Sequence, residues 1–168
     1  MTYCNATDLL TRFDAAEIAQ RTDREIPRTV SGELLRAAAA GADLSAWTEV
    51  EAERAASALV VVQRALQDAD DTINGYISAR YALPISPVPA VLQRLAADLA
   101  RYYLFDDQVT DPIKQRYDAA IKMLGDVSAG RVSLGADAGT GQQPATSAAP
   151  EWAGSDRVWT RANSTGFL

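Results

Sequence analysis

The sequence predicts an all-α protein, a small helical bundle with one long central helix and an extended C-terminal arm. Apolar residues recur at steps of three and four through most of the first 134 residues. Prolines and glycines separate these periodic stretches rather than interrupt them. Beyond residue 134 the periodicity gives way to a segment rich in Ala, Gly, Thr, Ser and Pro. We therefore divide the chain into a helical domain, residues 1–134, and a linker with a partner-docking arm, residues 135–168.

The first part of the chain predicts three short helices. Asn5 is placed to cap a helix over residues 6–12, with Asp8 near its positive end. Residues 15–20 form a second helix. Pro27 prevents its continuation, because proline lacks an amide hydrogen and disfavours a helical residue before it. A third helix covers Leu34, Leu35 and the following alanine run, and it ends at Gly41.

The long central helix is predicted to begin at Asp43 or Ser45. Its polar face carries charged residues such as Glu53 and Arg64. Its apolar face extends for about six turns and consists of Leu59, Val62, Leu66, Ala69, Ile73, Tyr76, Ile77 and Arg80. Three prolines between residues 84 and 89 then impose an extended connector.

Two more helices follow the connector. Pro89 suits the first turn of the next helix, whose buried stripe is Leu92, Leu95, Ala96, Leu99, Tyr102 and Tyr103. Asp111 is expected to cap the last helix, with Pro112 in its first position. The buried face of that helix is Ile113, Tyr117, Ala120, Ile121 and Leu124. Gly130 ends it, and residues 131–134 form either a short strand or an extended docking segment.

Composition argues against several classes of protein. The chain has no histidine and one cysteine, Cys4, so it lacks an imidazole base, a thiolate metal site and an internal disulfide. We predict no enzyme activity, no catalytic residues, no metal and no cofactor. Asp68, Asp70 and Asp71 are the best magnesium candidates. We interpret them as a solvated helix face from which Asp70 points away. No membrane span and no signal peptide are expected, so the protein should remain in a cytoplasm or in something assembled there.

The charge pattern disfavours nucleic-acid binding. The formal net charge is −6, and the basic residues are interspersed along the chain rather than gathered into a stripe. Tyr102 and Tyr103 beside Arg101 could form a stacking platform for bases. The leucines at helical spacing before them favour the edge of a core instead. A small DNA-packaging or regulatory factor is therefore the weaker hypothesis.

The arm differs from the rest of the chain because it is poor in branched apolar residues but contains two of the three tryptophans. Aromatic and arginine side chains dominate interface energetics. The residues predicted to bind a partner are Trp152, Arg157, Val158, Trp159, Arg161, Phe167 and Leu168. Two alternatives remain open, since the arm could fold back on its own bundle or stay disordered.

Residues 65–84 contain a helical signature that ends in Arg-Tyr-x-Leu-Pro. A leucine-rich helix follows it, and an Arg-Tyr-Asp-Ala-Ala-Ile stretch comes later. In this order, these motifs resemble small proteins from the head-gene region of Mu-like tailed bacteriophages. The positions that carry the resemblance are Tyr76, Arg80, Tyr81, Leu83, Pro84, Pro89 and Tyr117. Residues 29–58 depart from the pattern, because this segment looks longer than the family usually has.

This resemblance implies a head–tail connector, also called an adaptor or neck protein. Such proteins form a ring, commonly of twelve copies, beneath the portal protein of the virion. The implied partners are the portal, neighbouring copies and a tail-side or head-closure protein, and the ring is assembled in the host cytoplasm. DNA passes through its channel without specific binding. Head-closure and tail-terminator proteins are the rivals, but these are more often β-rich.

Overall fold

The computed structural model describes residues 2–135 of the chain. Within that range the backbone forms six α-helices and no strand. They are α1 (Ala6–Arg12), α2 (Ala15–Thr22), α3 (Gly32–Ala39), α4 (Glu49–Ile77), α5 (Ala90–Phe105) and α6 (Asp111–Ser128). A single 3₁₀ turn, Asp106–Gln108, joins α5 to α6. The all-α prediction with one long central helix is confirmed.

The core is built around α4. This helix packs against α5 and α6 as well as against α1, α2 and α3. Fully buried side chains come from α1 to α6, among them Leu9, Ile18, Leu34, Ile73, Leu99 and Leu124. Each aliphatic side chain of this kind contributes about 1.5–3 kcal/mol when it leaves water. A single core therefore joins all six helices, and the bundle needs no disulfide to close it.

The first three helices form where the sequence predicts them. The side-chain oxygen of Asn5 accepts a hydrogen bond from the Asp8 amide at 2.7 Å, and Ser31 caps α3 through the Leu34 amide at 3.1 Å. Gly41, just past α3, has a φ of +64°, a conformation that glycine adopts without strain. Helix α2 continues to Thr22, further than its predicted end, because the chain turns only at Asp23.

The predicted start of α4 is wrong. Asp43 closes a local turn, since its carboxylate accepts bonds from the Ser45 amide at 2.9 Å and the Ser45 hydroxyl at 2.8 Å. The helix starts at Glu49, after Thr48. Thr48 and Glu51 form a capping box in which each side chain accepts the other's amide. These reciprocal bonds satisfy the backbone amides of Thr48 and Glu51, so the helix begins after Thr48 rather than at Asp43.

On α4 the predicted apolar face is mostly confirmed. Val62, Leu66, Ala69, Ile73 and Ile77 are buried, as are two alanines nearer its start. The predicted members Leu59 and Tyr76 are half-buried, and Arg80 lies beyond the end of the helix. No helix within residues 2–135 is both long enough and apolar enough to cross a bilayer.

The last helix also begins differently from the prediction. Thr110 occupies the cap, so Asp111 is the first helical residue rather than the cap, and Pro112 follows it. Asp111 still lies in the first turn, where a carboxylate favours the helix dipole. Gly130 has a φ of +75° just past the end of α6. Residues 131–134 form no strand, and Leu134 is buried against the bundle.

Candidate interaction surfaces

The predicted docking residues of the arm are not part of the described structure. Trp152, Arg157, Val158, Trp159, Arg161, Phe167 and Leu168 all lie outside residues 2–135. Their role therefore stays a prediction, as does the domain boundary at residue 134. The structure describes the faces of the bundle and the chain up to residue 135.

Residues of the Arg-Tyr-x-Leu-Pro signature hold the last described residues against the end of α4. The backbone amide of Leu134 donates a hydrogen bond to the Tyr81 hydroxyl at 3.1 Å, and the Leu134 side chain is buried. The guanidinium of Arg80 lies over Gly130, so close that a Cβ at that glycine would be 1.8 Å from Nη1 of Arg80. The segment after α4 is therefore joined to the end of α6.

The remaining signature positions serve the bundle in different ways. Tyr117 on α6 stacks on Tyr102 of α5 with ring centroids 3.8 Å apart. Tyr103 meets both rings edge-on, and its hydroxyl lies 2.9 Å from the Thr72 hydroxyl of α4. The core-edge interpretation of Tyr102 and Tyr103 is therefore confirmed. Tyr76 packs half-buried against the core, Pro89 is the N-cap of α5, and Leu83 and Pro84 are exposed.

The described residues show no constellation suited to catalysis. Cys4 is buried, and burial raises the pKa of its thiol to about 12, so it is protonated at neutral pH. No group of three or more metal-ligating side chains occurs within residues 2–135. Asp68 and Asp71 are exposed on α4, in agreement with the solvated-face interpretation.

Asp70 points away from that solvated face, as expected, and it is buried with a relative exposure of 1%. Its Oδ1 accepts the backbone amide of Tyr3 at 3.1 Å, whereas Oδ2 has no hydrogen-bond partner in the described structure. The Tyr3 hydroxyl in turn donates to Oδ1 of Asn74 at 2.5 Å. Asp70 thus fastens the N-terminal segment across α4. Burial is the main reason that its pKa lies above the ordinary value.

Replacing Asp70 by asparagine should stabilise the protein by about 1 kcal/mol at pH 7, because a neutral amide costs less to bury than a half-bonded carboxylate. Since the folded pKa is raised, protonation of the wild-type side chain relieves this cost as pH falls through that pKa toward 3.8. The stability difference should therefore shrink between neutral pH and pH 4 in urea titrations. A difference that is constant with pH would show that Asp70 titrates normally.

A second buried carboxylate, Asp23, organises the loop between α2 and α3. It accepts backbone amides from Glu25 at 3.1 Å, Thr29 at 2.8 Å and Val30 at 3.0 Å. Burial alone would raise the pKa of Asp23, but these bonds together with Arg54 hold it below its ordinary value. The loop carries Ile26, whose side chain is 92% exposed.

Three arginines lie close together in the folded chain, although the basic residues are interspersed along the sequence. Arg12 of α1, Arg94 of α5 and Arg116 of α6 line a cleft of about 320 Å³, which we call the arginine cleft. Its one acidic residue is the half-buried Asp98, whose Oδ1 lies 3.9 Å from a guanidinium nitrogen of Arg116. The cleft is not apparent from the sequence, because its three arginines lie on different helices, α1, α5 and α6.

Comparison with known protein families matches residues 3–151 to the family described as Bacteriophage Mu, Gp36. The chain belongs to the phage Mu Gp36 family. The matched region includes residues 29–58 and every signature position from Tyr76 to Tyr117. It ends one residue before Trp152, so the predicted docking residues lie beyond it.

Two curated relatives agree with this membership in the Gp36 family. The chain is 43% identical over 108 residues to the Mu-like prophage FluMu protein gp36 of Haemophilus influenzae, which covers 64% of this chain and 75% of that protein. It is 34% identical over 84 residues to gene product J of Escherichia phage Mu, covering 50% of this chain and 60% of that protein. The chain is therefore similar to these two proteins over 64% and 50% of its length.

Proposed function

We propose that this Gp36-family protein is a structural component of the virion, a head–tail connector whose ring joins the portal to tail-side proteins and extends the DNA channel. The observation that carries the proposal is the role of the signature residues. Arg80 and Tyr81 contact Gly130 and Leu134, where the C-terminal arm begins, rather than lining a catalytic cleft. A fixed point of departure suits an arm that has to reach a defined site on a neighbour.

Two further features support a connector over other phage proteins. The described part of the chain is helical, which favours an adaptor over the β-rich head-closure and tail-terminator proteins of the same neck. The acidic balance of the chain, −6, suits a channel through which DNA slides without being retained. In this proposal Trp152, Trp159 and Phe167 bind the portal or an adjacent subunit.

Deleting residues 156–168 tests the proposal. The truncated protein should keep the far-UV circular dichroism and melting temperature of the isolated subunit, because in this proposal the arm binds a neighbour rather than its own bundle. It should be absent from purified particles when it replaces the native copy in the phage that encodes it. Mass spectrometry of the particles measures incorporation, and electron microscopy of the head–tail junction shows which level of the neck is lost.

Single substitutions distinguish docking from folding back. Trp159→Ala should reduce incorporation at least about tenfold, the loss that removal of a buried interface tryptophan typically causes. It should leave the melting temperature unchanged. Asn163→Ala in the same segment is the matched control and should behave as the wild type. Equal losses of incorporation and thermal stability from Trp159→Ala would favour an arm packed on its own bundle, and normal incorporation of the truncated chain would contradict the proposal.

A further inference from the structure

The arginine cleft has more positive charge than its own chain neutralises. Within residues 2–135, Arg12 forms no hydrogen bond or ion pair, and the Arg94 guanidinium contacts the Met123 sulfur at 3.8 Å. Arg116 faces Asp98 only at the outer limit of an ion pair, and its side chain is 58% exposed. Three guanidinium groups thus surround one carboxylate, on a chain whose net charge is negative.

The shape and lining of the cleft indicate what it can bind. Its volume of about 320 Å³ accommodates one or two side chains, and its floor is apolar, made by Leu95, Ala120 and Met123. Guanidinium groups pair with carboxylates through two parallel hydrogen bonds, while an apolar floor suits the methylene that bears the carboxylate. A carboxylate and a nucleic-acid phosphodiester each carry one negative charge, so Asp98, which also lines the cleft, repels both alike. A long polyanion is disfavoured instead by the net charge of −6 on the whole chain, so a local acidic surface of a protein is the better fit.

An acidic surface of suitable size lies elsewhere on the same molecule. Helix α4 exposes four carboxylates, those of Glu49, Glu53, Asp68 and Asp71, and one arginine, Arg64. Its exposed stripe runs along the whole helix and includes Asp68 and Asp71, which we call the acidic pair. Residues three apart on a helix are neighbours, with Cβ atoms about 5–6 Å apart. Neither side chain forms an ion pair within the described residues, and Asp71 is oriented by the Gln67 amide at 3.1 Å.

We propose that the arginine cleft of one copy receives the acidic pair, Asp68 and Asp71, of a second copy of this chain. No α4 residue lines the cleft, so the two surfaces are separate. A contact between two different surfaces is heterologous, and repetition of such a contact generates a ring when the rotation closes. The inference rests on the proposed connector function, and it adds which faces of adjacent subunits meet. Salt weakens the association, because both surfaces are exposed to solvent.

Charge reversal on each surface tests the contact in the full chain. One variant combines Arg94→Glu with Arg116→Glu, and the other combines Asp68→Arg with Asp71→Arg. Sedimentation velocity at low salt should show self-association of the wild type and a loss of at least about tenfold in each variant, because like charges then face each other. The matched control combines Lys114→Glu with Lys122→Glu, which reverses two exposed charges on α6 outside the cleft, and it should associate normally.

Mixing the two variants gives the decisive result. In an equimolar mixture, the acidic cleft of the first variant can bind the basic residues 68 and 71 of the second. The native cleft of the second variant can bind the native acidic pair of the first. Alternating assemblies should therefore form although neither variant associates alone. The inference is overturned if both variants associate like the wild type, or if the mixture stays monomeric while circular dichroism shows both variants folded. It also fails if the wild type stays monomeric at low salt, a result that leaves the particle-incorporation test of the proposed function intact.

One more outcome would reassign the cleft. If Arg94→Glu with Arg116→Glu abolishes a salt-dependent gel shift with duplex DNA and leaves self-association unchanged, then the cleft binds the phosphate backbone instead of a neighbouring subunit.

Discussion

Replacing Asp23 by alanine is expected to lower the free energy of unfolding by about 3 kcal/mol, because the substitution leaves three backbone amides of one loop without their charged acceptor. The Asp23 carboxylate is 4% exposed and binds the amides of Glu25, Thr29 and Val30. Water reaches such a site poorly, so it cannot replace the lost bonds at equal strength. Urea denaturation followed by circular dichroism measures the loss.

Asp43→Ala is the matched control for Asp23→Ala. Asp43 also accepts bonds from a residue two positions later, but it lies fully in solvent. Water can replace the acceptor there, so this variant should unfold close to the wild-type midpoint. If the two variants lose equal stability, burial of Asp23 is not what makes its bonds strong.

Asp23 should make the stability of the protein depend on pH in the opposite direction to Asp70. The folded pKa of Asp23 lies below 3.8, so its stabilising contribution is complete above that pH. The contribution is lost as pH falls through the folded pKa. The difference between the wild type and Asp23→Ala should therefore be constant from pH 7 to pH 5 and should shrink below pH 4.

Local patterns in the sequence predicted most of the helices because their determinants are close in sequence. Asn5 and Gly41 act within one turn of the residues they cap or end. The apolar spacing of α5 and α6 matches most of their buried faces, although Tyr102, Tyr103, Tyr117 and Ile121 are only half-buried. The start of α4 was missed although its signal is also local. Thr48 followed three residues later by Glu51 is a capping-box pattern, and it should have been preferred to Asp43.

The functional surfaces were harder to predict because they depend on contacts between distant parts of the chain. The orientation of Asp70 away from the solvated face was predicted, but its hydrogen-bond partner, the Tyr3 amide 67 residues away, was not. The arginine cleft unites cations from α1, α5 and α6, so a linear charge pattern does not reveal it. The role of Tyr81 became visible only through its bond to Leu134, 53 residues later. In each case the helix positions were predictable, whereas the packing that brings them together was not.

Replacing glycine by alanine should lower the free energy of unfolding at Gly32 and raise it at Gly75. At Gly32, the first residue of α3, a Cβ would lie 2.7 Å from the Ala16 nitrogen and 2.9 Å from the Ala15 carbonyl carbon. Both atoms belong to the backbone of α2, so one helix has to move. We expect Gly32→Ala to cost about 2 kcal/mol, in the range of overpacked cores.

Gly75, near the end of α4, is the matched position, because a Cβ there would meet no atom within 4 Å. Gly75→Ala should raise the free energy of unfolding by up to about 1 kcal/mol through helix propensity and a less flexible unfolded chain. Thermal unfolding of both variants measures the contrast. Stabilisation by Gly32→Ala would mean that α2 and α3 separate easily. Since α3 packs on both α2 and α4, we expect the strain to reach the central helix, and Gly32→Ala should then also speed hydrogen exchange in the first turns of α4.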